Sequence, residues 1–373
     1  ALPICSRGDV VIGAAAEANI IRKNATVDGD GQLFSQSVAI GSVAKVYGTQ
    51  SVAIGGDVRS IGHSSIAIGG DDIDKAKPDL YNAIPDLAVP GTQKNFNREV
   101  AALHPSGLGT AGLNDSKNYV NTASIGNASL AIGMMTQSLG TGSNAIGANS
   151  LSKGVASSAI GAMARSWGNN SLAIGSQAGA YGEKSTSLGD ANIVGFDMTN
   201  ATLSGSAAGA LGRGNMVYGN NAYAIGSENT VGSATVTETT ESNGDKIKKV
   251  TAGTVKGNTA GAFGYKNTIT TDNSYVVGSN STISADNGMV LGNSATVTGA
   301  NGLALGNNTK VANDNAVAIG NGSETAAAVA TPSATINGVT HNFAGTNPAS
   351  TVSVGKAGME RTVTNVAAGR ISA

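Results

Sequence analysis

Three histidines, one cysteine, one tryptophan and a single tight group of aspartates are the residues of this chain with chemistry beyond packing. His63, His104 and His341 are scattered, and His63 falls where the chain turns, so it reads as a solvated side chain and no metal or catalytic duty is assigned to any of the three. Asp71, Asp72 and Asp74 stand beside Gly69-Gly70, the composition of a calcium-binding β-roll loop. Such loops repeat every nine residues, whereas this one occurs once, and it reads as solvated turn carboxylates. Cys5 excludes a disulfide framework within one chain; it reads as a free thiol, with a bridge between copies as the alternative. Trp167, next to Gly168, is expected to be exposed, and exposed aromatic side chains can anchor a partner. With Lys153, Arg165 and Lys184 at outer turns it forms the candidate ligand surface. No catalytic, cofactor-binding or metal-ligating constellation emerges from these residues.

What must position them is a repeat. A glycine recurs every fourteen residues at Gly41, Gly55 and Gly69, then at Gly133, Gly147, Gly161, Gly175 and Gly189. It returns at Gly212 and Gly226, and again at Gly264, Gly278, Gly292, Gly306 and Gly320, while Gly13 lies two periods ahead of Gly41. A fixed period of this kind marks a solenoid in which each unit is one coil. Directly before the glycine stands a large apolar residue: Ile40, Ile54, Ile68, Ile132, Ile146, Ile160, Ile174, Leu188, Leu305 and Ile319 are examples. Before that stands alanine in most coils, as at Ala39, Ala53, Ala131 and Ala159. Successive side chains of a strand point to opposite faces, so the large residue always enters one space and the small one another.

Five residues after the glycine runs a second ladder of small or β-branched residues: Val46, Ser60, Ser138, Ser152, Ser166, Ala180, Val194 and, later, Ile269, Ile283, Val297 and Val311. This predicts a second short inward-facing strand. A further glycine two residues on (Gly48, Gly62, Gly140, Gly154, Gly168) is read as the positive-φ residue of a tight turn. A coil of this length has a perimeter of about 46 Å, with room inside for alanine and little more. The Ile/Leu ladder must then be covered from outside. With no helical segment to do so, a cyclic homo-oligomer follows, and a homotrimer is the expectation, with that ladder as its core.

Composition agrees with a thin stacked core. Apolar residues make up 40% of the chain but aromatic residues only 4%, and 53 glycines would signal disorder were they not periodic. A net charge of −1 and the lack of a basic, aromatic-interleaved patch give no support for nucleic-acid binding. No secretory leader and no apolar run long enough to span a bilayer is visible, so an export signal and membrane anchor are expected outside this fragment.

The period is interrupted, which sets the expected organisation. Coils occupy residues 1–70, 123–232 and 258–322. Residues 71–122, rich in charge and proline, read as an insert packed on the roll. Residues 190–208 add a loop or widened coil. Residues 233–257 read as a protruding β-hairpin about Asn243-Gly244, with Glu238 and Glu241 facing Lys246, Lys248 and Lys249. Residues 323–354 read as a second insertion with a hairpin about Asn337-Gly338, and 355–373 as a compact terminal segment.

Repeats such as SVAIGSVAKVYGTQ, SVAIGGDVRSIGHS and SLAIGSQAGAYGEK resemble the YadA-like heads of trimeric autotransporter adhesins of Gram-negative bacteria. GGDDIDK at 69–75 and YVNTAS at 119–124 resemble the borders of that family's head insert, and SVGKAGMERTVTNVAAGRISA is similar to its neck, which leads to a coiled-coil stalk. The resemblance implies an all-β, left-handed parallel β-roll, three chains per head, and display at the cell surface from the outer membrane by type V secretion. It implies virulence-related adhesion to host cells or to extracellular matrix proteins (collagen, fibronectin or laminin), with autoagglutination, and no enzymatic activity or cofactor. The 233–257 hairpin and the 190–208 loop depart from the basic repeat.

Two alternatives are weighed against it. Hexapeptide-repeat acyltransferases are trimeric left-handed β-structures with Ile-Gly steps, but six does not divide the fourteen-residue spacing. A phage-fibre-like protein that binds and cleaves carbohydrate would need paired carboxylates on an open groove, and the outer positions here are mainly Ser, Asn, Thr and Gly.

Overall fold

Strands of two kinds alternate along the chain, one of three to five residues ending at the periodic glycine and one of two residues just beyond it. The computed structural model describes residues 8–18, 36–70, 121–195, 206–233, 236–240, 246–250 and 255–367. Among them there is no helix, and the chain divides into two units: residues 1–221 with 234–255, and residues 222–233 with 256–373.

In the first unit the longer strands stack in parallel at zero offset. Val38–Ile40 pairs with Val52–Gly55, that strand with Ile66–Gly70, and that with Leu130–Met134. The stack continues through Asn144–Ile146, Ser158–Ile160, Leu172–Ile174 and Thr186–Leu188 to Gly209–Arg213. The two-residue strands make a second parallel stack from Lys45–Val46 to Met216–Val217. In the second unit the same two stacks run from Tyr223–Ser227 to Val317–Ile319 and from Thr230–Val231 to Lys310–Val311. Each unit is a parallel β-solenoid of fourteen-residue coils, because identical residues fall on identical rungs.

The interior is as narrow as the perimeter implies. Ala39, Ala53, Ala67, Ala131, Ala145, Ala159 and Ala173 are all fully buried, and so are Val46, Val194, Ile269, Ile283 and Val311 on the second strand. Serines fill the corners and bond in pairs: Ser138 to Ser143, Ser152 to Ser157 and Ser166 to Ser171, each at 2.7 Å between hydroxyls. Three residues after the periodic glycine, buried Asn267 donates to Asn229 Oδ1 at 3.0 Å and to the Gly278 carbonyl at 2.8 Å. A buried polar group left without such a partner costs about 1–3 kcal/mol, so these bonds keep polar corners compatible with a dry core.

The two glycine ladders have different causes, and one sequence expectation is corrected. The first ladder takes positive φ, as at Gly161 (φ 130°), and an added Cβ there would meet the Gly175 carbonyl oxygen at 2.4 Å. The second ladder is not in the positive-φ region. At Gly154 the constraint is contact alone, since a Cβ would fall 2.1 Å from the Gly168 oxygen of the next coil. Left-handed turn conformations belong instead to non-glycine residues such as Gln50, Ser64, Asn149, Asn170 and Lys184.

Three further differences concern register. Val10–Ile12 pairs directly with Val38–Ile40, so Gly13 and Gly41 occupy adjacent coils although two periods separate them in sequence. The coil that starts at Ile66–Gly70 is completed by Ala123–Ser124, which pairs with Arg59–Ser60; the expected insert at 71–122 lies, but for its last two residues, outside those described. After Gly320, Val352–Ser353 returns to pair with Val317–Ala318, one more rung where the period had ended. Val236–Thr240 pairs antiparallel with Lys246–Val250, setting Glu238 opposite Lys248, while the turn at 241–245 lies outside the described residues. A second ribbon pairs Ser333–Ile336 with Val339–Asn342.

Candidate functional site

Two outer faces carry what the molecule can do. The first is the apolar ladder. The carbonyl and amide groups of its strands are consumed by the stack, and their alanines fill the interior, so the alternating large residues point outward. Ile174 keeps 37% of its surface, Ile225 40%, and Leu291 53%, while Ile40, Ile54, Ile68, Ile132, Ile146, Ile160, Leu188 and Leu305 are half-buried and Ile319 is exposed. In the second unit aromatic side chains join it: Tyr223, Phe263, Tyr265 and Tyr275 are all exposed. Lys266 Nζ lies 5.0 Å from the centre of the Tyr265 ring and 3.4 Å from Glu228, and hydrogen bonds to Tyr265 and then Glu228 raise its pKa above the ordinary lysine value. The chain therefore presents a continuous strip of apolar rungs in each unit that its own coils leave uncovered.

The second face is the outside of the two-residue strands in the first unit, where the period sets Lys153, Trp167 and Tyr181 on successive rungs. Lys153 Nζ sits 4.5 Å from the centre of the Trp167 ring, a cation–π contact. The Trp167 and Tyr181 rings meet edge to face at 5.4 Å. Trp167 is consequently half-buried rather than exposed, and its Nε1 is shut off from solvent with no hydrogen-bond partner. Gly179 makes room for the neighbouring ring, since a Cβ there would stand 2.5 Å from Tyr181 Cε2. Arg165 donates from Nη1 to the Asn149 carbonyl at 2.5 Å. Lys184 lies apart on a turn, exposed and 3.4 Å from Glu183. Of the four candidate ligand residues the structure thus joins Lys153 to Trp167, with Tyr181 as the partner that sequence reasoning missed. Its signal was available: all three stand six residues after a periodic glycine.

His63 has a structural task. Its Nδ1 lies 3.2 Å from the Thr49 amide nitrogen, which donates to it, and 2.8 Å from the Thr49 hydroxyl, while its own amide donates to Asn127 Oδ1 at 2.9 Å. Asparagine and aspartate oxygens do the same at other coils, for example Asn169 to Val155 N at 2.9 Å and Asp314 to Ala300 N at 2.8 Å. His341 lies on the exposed arm Val339–Asn342. His104, Cys5 and Asp71, Asp72 and Asp74 lie outside the described residues. Among the described residues no group of histidine, cysteine, aspartate and glutamate could hold a metal ion.

Stacked coils with outward ladders and fully occupied backbones define a display solenoid, a scaffold that repeats surface residues at fixed intervals. The YadA head domain repeat matches residues 35–57, 152–178, 168–192, 284–309 and 298–323. In those segments the chain is similar to YadA head repeats. It is 62% identical over 50 residues, 13% of its length, to the autotransporter adhesin BtaE of Brucella suis biovar 1 (strain 1330), of which the match spans 7%. The C-terminal YadA-like domain of BPSL2063 from Burkholderia pseudomallei shares 32% identity over 38% of this chain and 56% of that one, with a TM-score of 0.21. The Brucella relative is named as an adhesin.

Proposed function

We propose that this head is a homotrimer that attaches to host extracellular matrix proteins (collagen, fibronectin or laminin) or to host-cell receptors through many weak contacts. The observation that carries the reading is the uncovered apolar ladder. It supports association of copies along the whole stack, which multiplies each outer side chain threefold and sets it in rows. Linked weak sites gain avidity through effective concentration, by about 10²–10⁴ over the single contact. The Lys153–Trp167–Tyr181 face, with Arg165 and Lys184, supplies contacts of the polar-aromatic kind that bind protein surfaces.

A solid-phase panel of collagen, fibronectin, laminin and cultured host cells tests it, with the assembled chain compared against an association-deficient variant. Retention on at least one surface, with loss of about 10²-fold or more in the variant, is the expected result. Equal binding by the monomeric variant would refute the multivalent mechanism, and no binding to any surface would refute the host-attachment reading. Stepwise alanine replacement of Lys153, Arg165 and Lys184 should weaken binding cumulatively. If deleting residues 235–251 alone abolishes it, that hairpin is the site.

A further inference from the structure

The chain contains five Asn-Gly steps, at Asn243, Asn287, Asn301, Asn321 and Asn337. Asn-Gly is the dipeptide in which the following backbone nitrogen most readily reaches the side-chain carbonyl carbon, because glycine places no Cβ in the way. As sequence, these steps are equivalent. As structure, the four that fall within the described residues are not.

Three of them are locked into the coils. Asn287 Nδ2 donates to Asn301 Oδ1 at 3.0 Å, and the Gly288 amide donates to Ser274 Oγ at 3.1 Å. Asn301 Nδ2 donates to Asn315 Oδ1 at 2.9 Å, and Gly302 is enclosed so tightly that a Cβ would stand 2.8 Å from Val311 Cγ1. Asn321 Oδ1 accepts from Asn308 at 3.3 Å, and the Gly322 amide donates to the Asn307 carbonyl at 2.8 Å. Closing a ring requires the Gly288 or Gly322 amide nitrogen to leave its acceptor, or the enclosed Gly302 to shift, and in each case the asparagine side chain to leave its rung.

Asn337-Gly338 is different. It is the tip of the ribbon that pairs Ile336 with Val339, with φ of 52° at Asn337 and 79° at Gly338. Both residues are exposed, and nothing lies within 4 Å of a Cβ built on Gly338. Among the hydrogen bonds of the described residues none engages the Gly338 amide or the Asn337 carboxamide.

We propose that Asn337 is a site of spontaneous covalent modification in the folded protein. The Gly338 nitrogen, losing its proton to water or hydroxide, attacks Asn337 Cγ; the new N–Cγ bond forms, the Cγ–Nδ2 bond breaks, and ammonia leaves with that proton. Water then opens the resulting succinimide at either carbonyl, giving aspartate or isoaspartate and no change in oxidation state. Either product adds a negative charge at the tip. Isoaspartate also lengthens the main chain between Ile336 and Val339 by one carbon and breaks their pairing. The surface of this ribbon therefore changes with time after folding, whereas the coils beside it do not.

Peptide mapping by mass spectrometry of the full chain, held at 37 °C and mildly alkaline pH (about 8), reads each step separately. In the folded protein Asn337 should deamidate about tenfold or more faster than Asn287 and Asn301, because each of those must first break its side-chain hydrogen bond and distort its coil. In denaturant the rates should converge, which separates conformation from dipeptide chemistry. An Asn337→Gln variant should lose the product from that peptide alone. Equal rates at Asn337, Asn287 and Asn301 in the folded chain, or an intact Asn337 while the coil sites react, would overturn the assignment.

Discussion

Replacing Ile54, Ile146 and Ile174 together by aspartate is the sharpest test of the outer ladder. In the single chain Ile174 retains 37% of its surface and the other two are half-buried. Full burial of an isoleucine is worth about 1.5–3 kcal/mol, so covering the remaining surface, about a third at most, contributes up to about 0.5–1 kcal/mol per rung. Loss of three rungs therefore removes up to about 1.5–3 kcal/mol per chain. The larger effect is electrostatic, because a carboxylate enclosed without a partner costs several kcal/mol, and like charges would meet at every substituted rung of the assembly. The sum exceeds what an oligomer of ordinary affinity can lose, since each 1.4 kcal/mol is about a tenfold change in its association constant. The fold should survive, because these side chains point away from the alanine interior. Sedimentation velocity should show wild type as a trimer and the variant as a monomer, with the β-structure signal of circular dichroism retained. A variant that sediments like wild type, or a wild type that is itself a folded monomer, refutes the reasoning.

The glycine ladders give a graded comparison. Gly161→Ala places a methyl 2.4 Å from the Gly175 oxygen at φ 130°, and should cost about 3 kcal/mol or more, whereas Gly142→Ala, at φ 66° with nothing within 4 Å, should cost about 1 kcal/mol. Thermal or denaturant unfolding of the two variants side by side checks the order, and equal losses would contradict the stacking argument. The chain has one tryptophan, so its emission reports a single site. Lys153→Ala should remove the cation over Trp167, shift its fluorescence, and cost about 0.5–1 kcal/mol; an unchanged spectrum would show that the contact is not populated.

Sequence alone determined the repeat, the two strand types and which residue of each faces inward. The reason is that a solenoid writes its geometry locally. Every coil repeats the same steric problem, so Ala39, Ala53 and Ala67 meet one constraint, Ile40, Ile54 and Ile68 another, and fourteen-residue spacing makes both visible. The uncovered ladder was legible for the same reason, because the interior is too narrow for anything larger than its alanines and small second-strand residues.

Tertiary structure decided whatever depends on which coil follows which. Spacing set Gly13 two periods ahead of Gly41, yet Val10 pairs directly with Val38, so the two glycines stand on adjacent coils. Val352-Ser353 likewise returns to the sheet although Val354-Gly355 stands off the period. The second glycines were read as turn residues, yet their conformation is ordinary; what excludes a side chain is the carbonyl of the next coil, a neighbour across fourteen residues that no local propensity records. Trp167 is half-covered because Lys153 and Tyr181 come to it from adjacent rungs. The five Asn-Gly steps are alike in sequence; the four described here separate only when hydrogen bonds hold three of them and leave Asn337 at an open tip. Local sterics are encoded residue by residue, whereas contacts between coils exist only once the stack has formed.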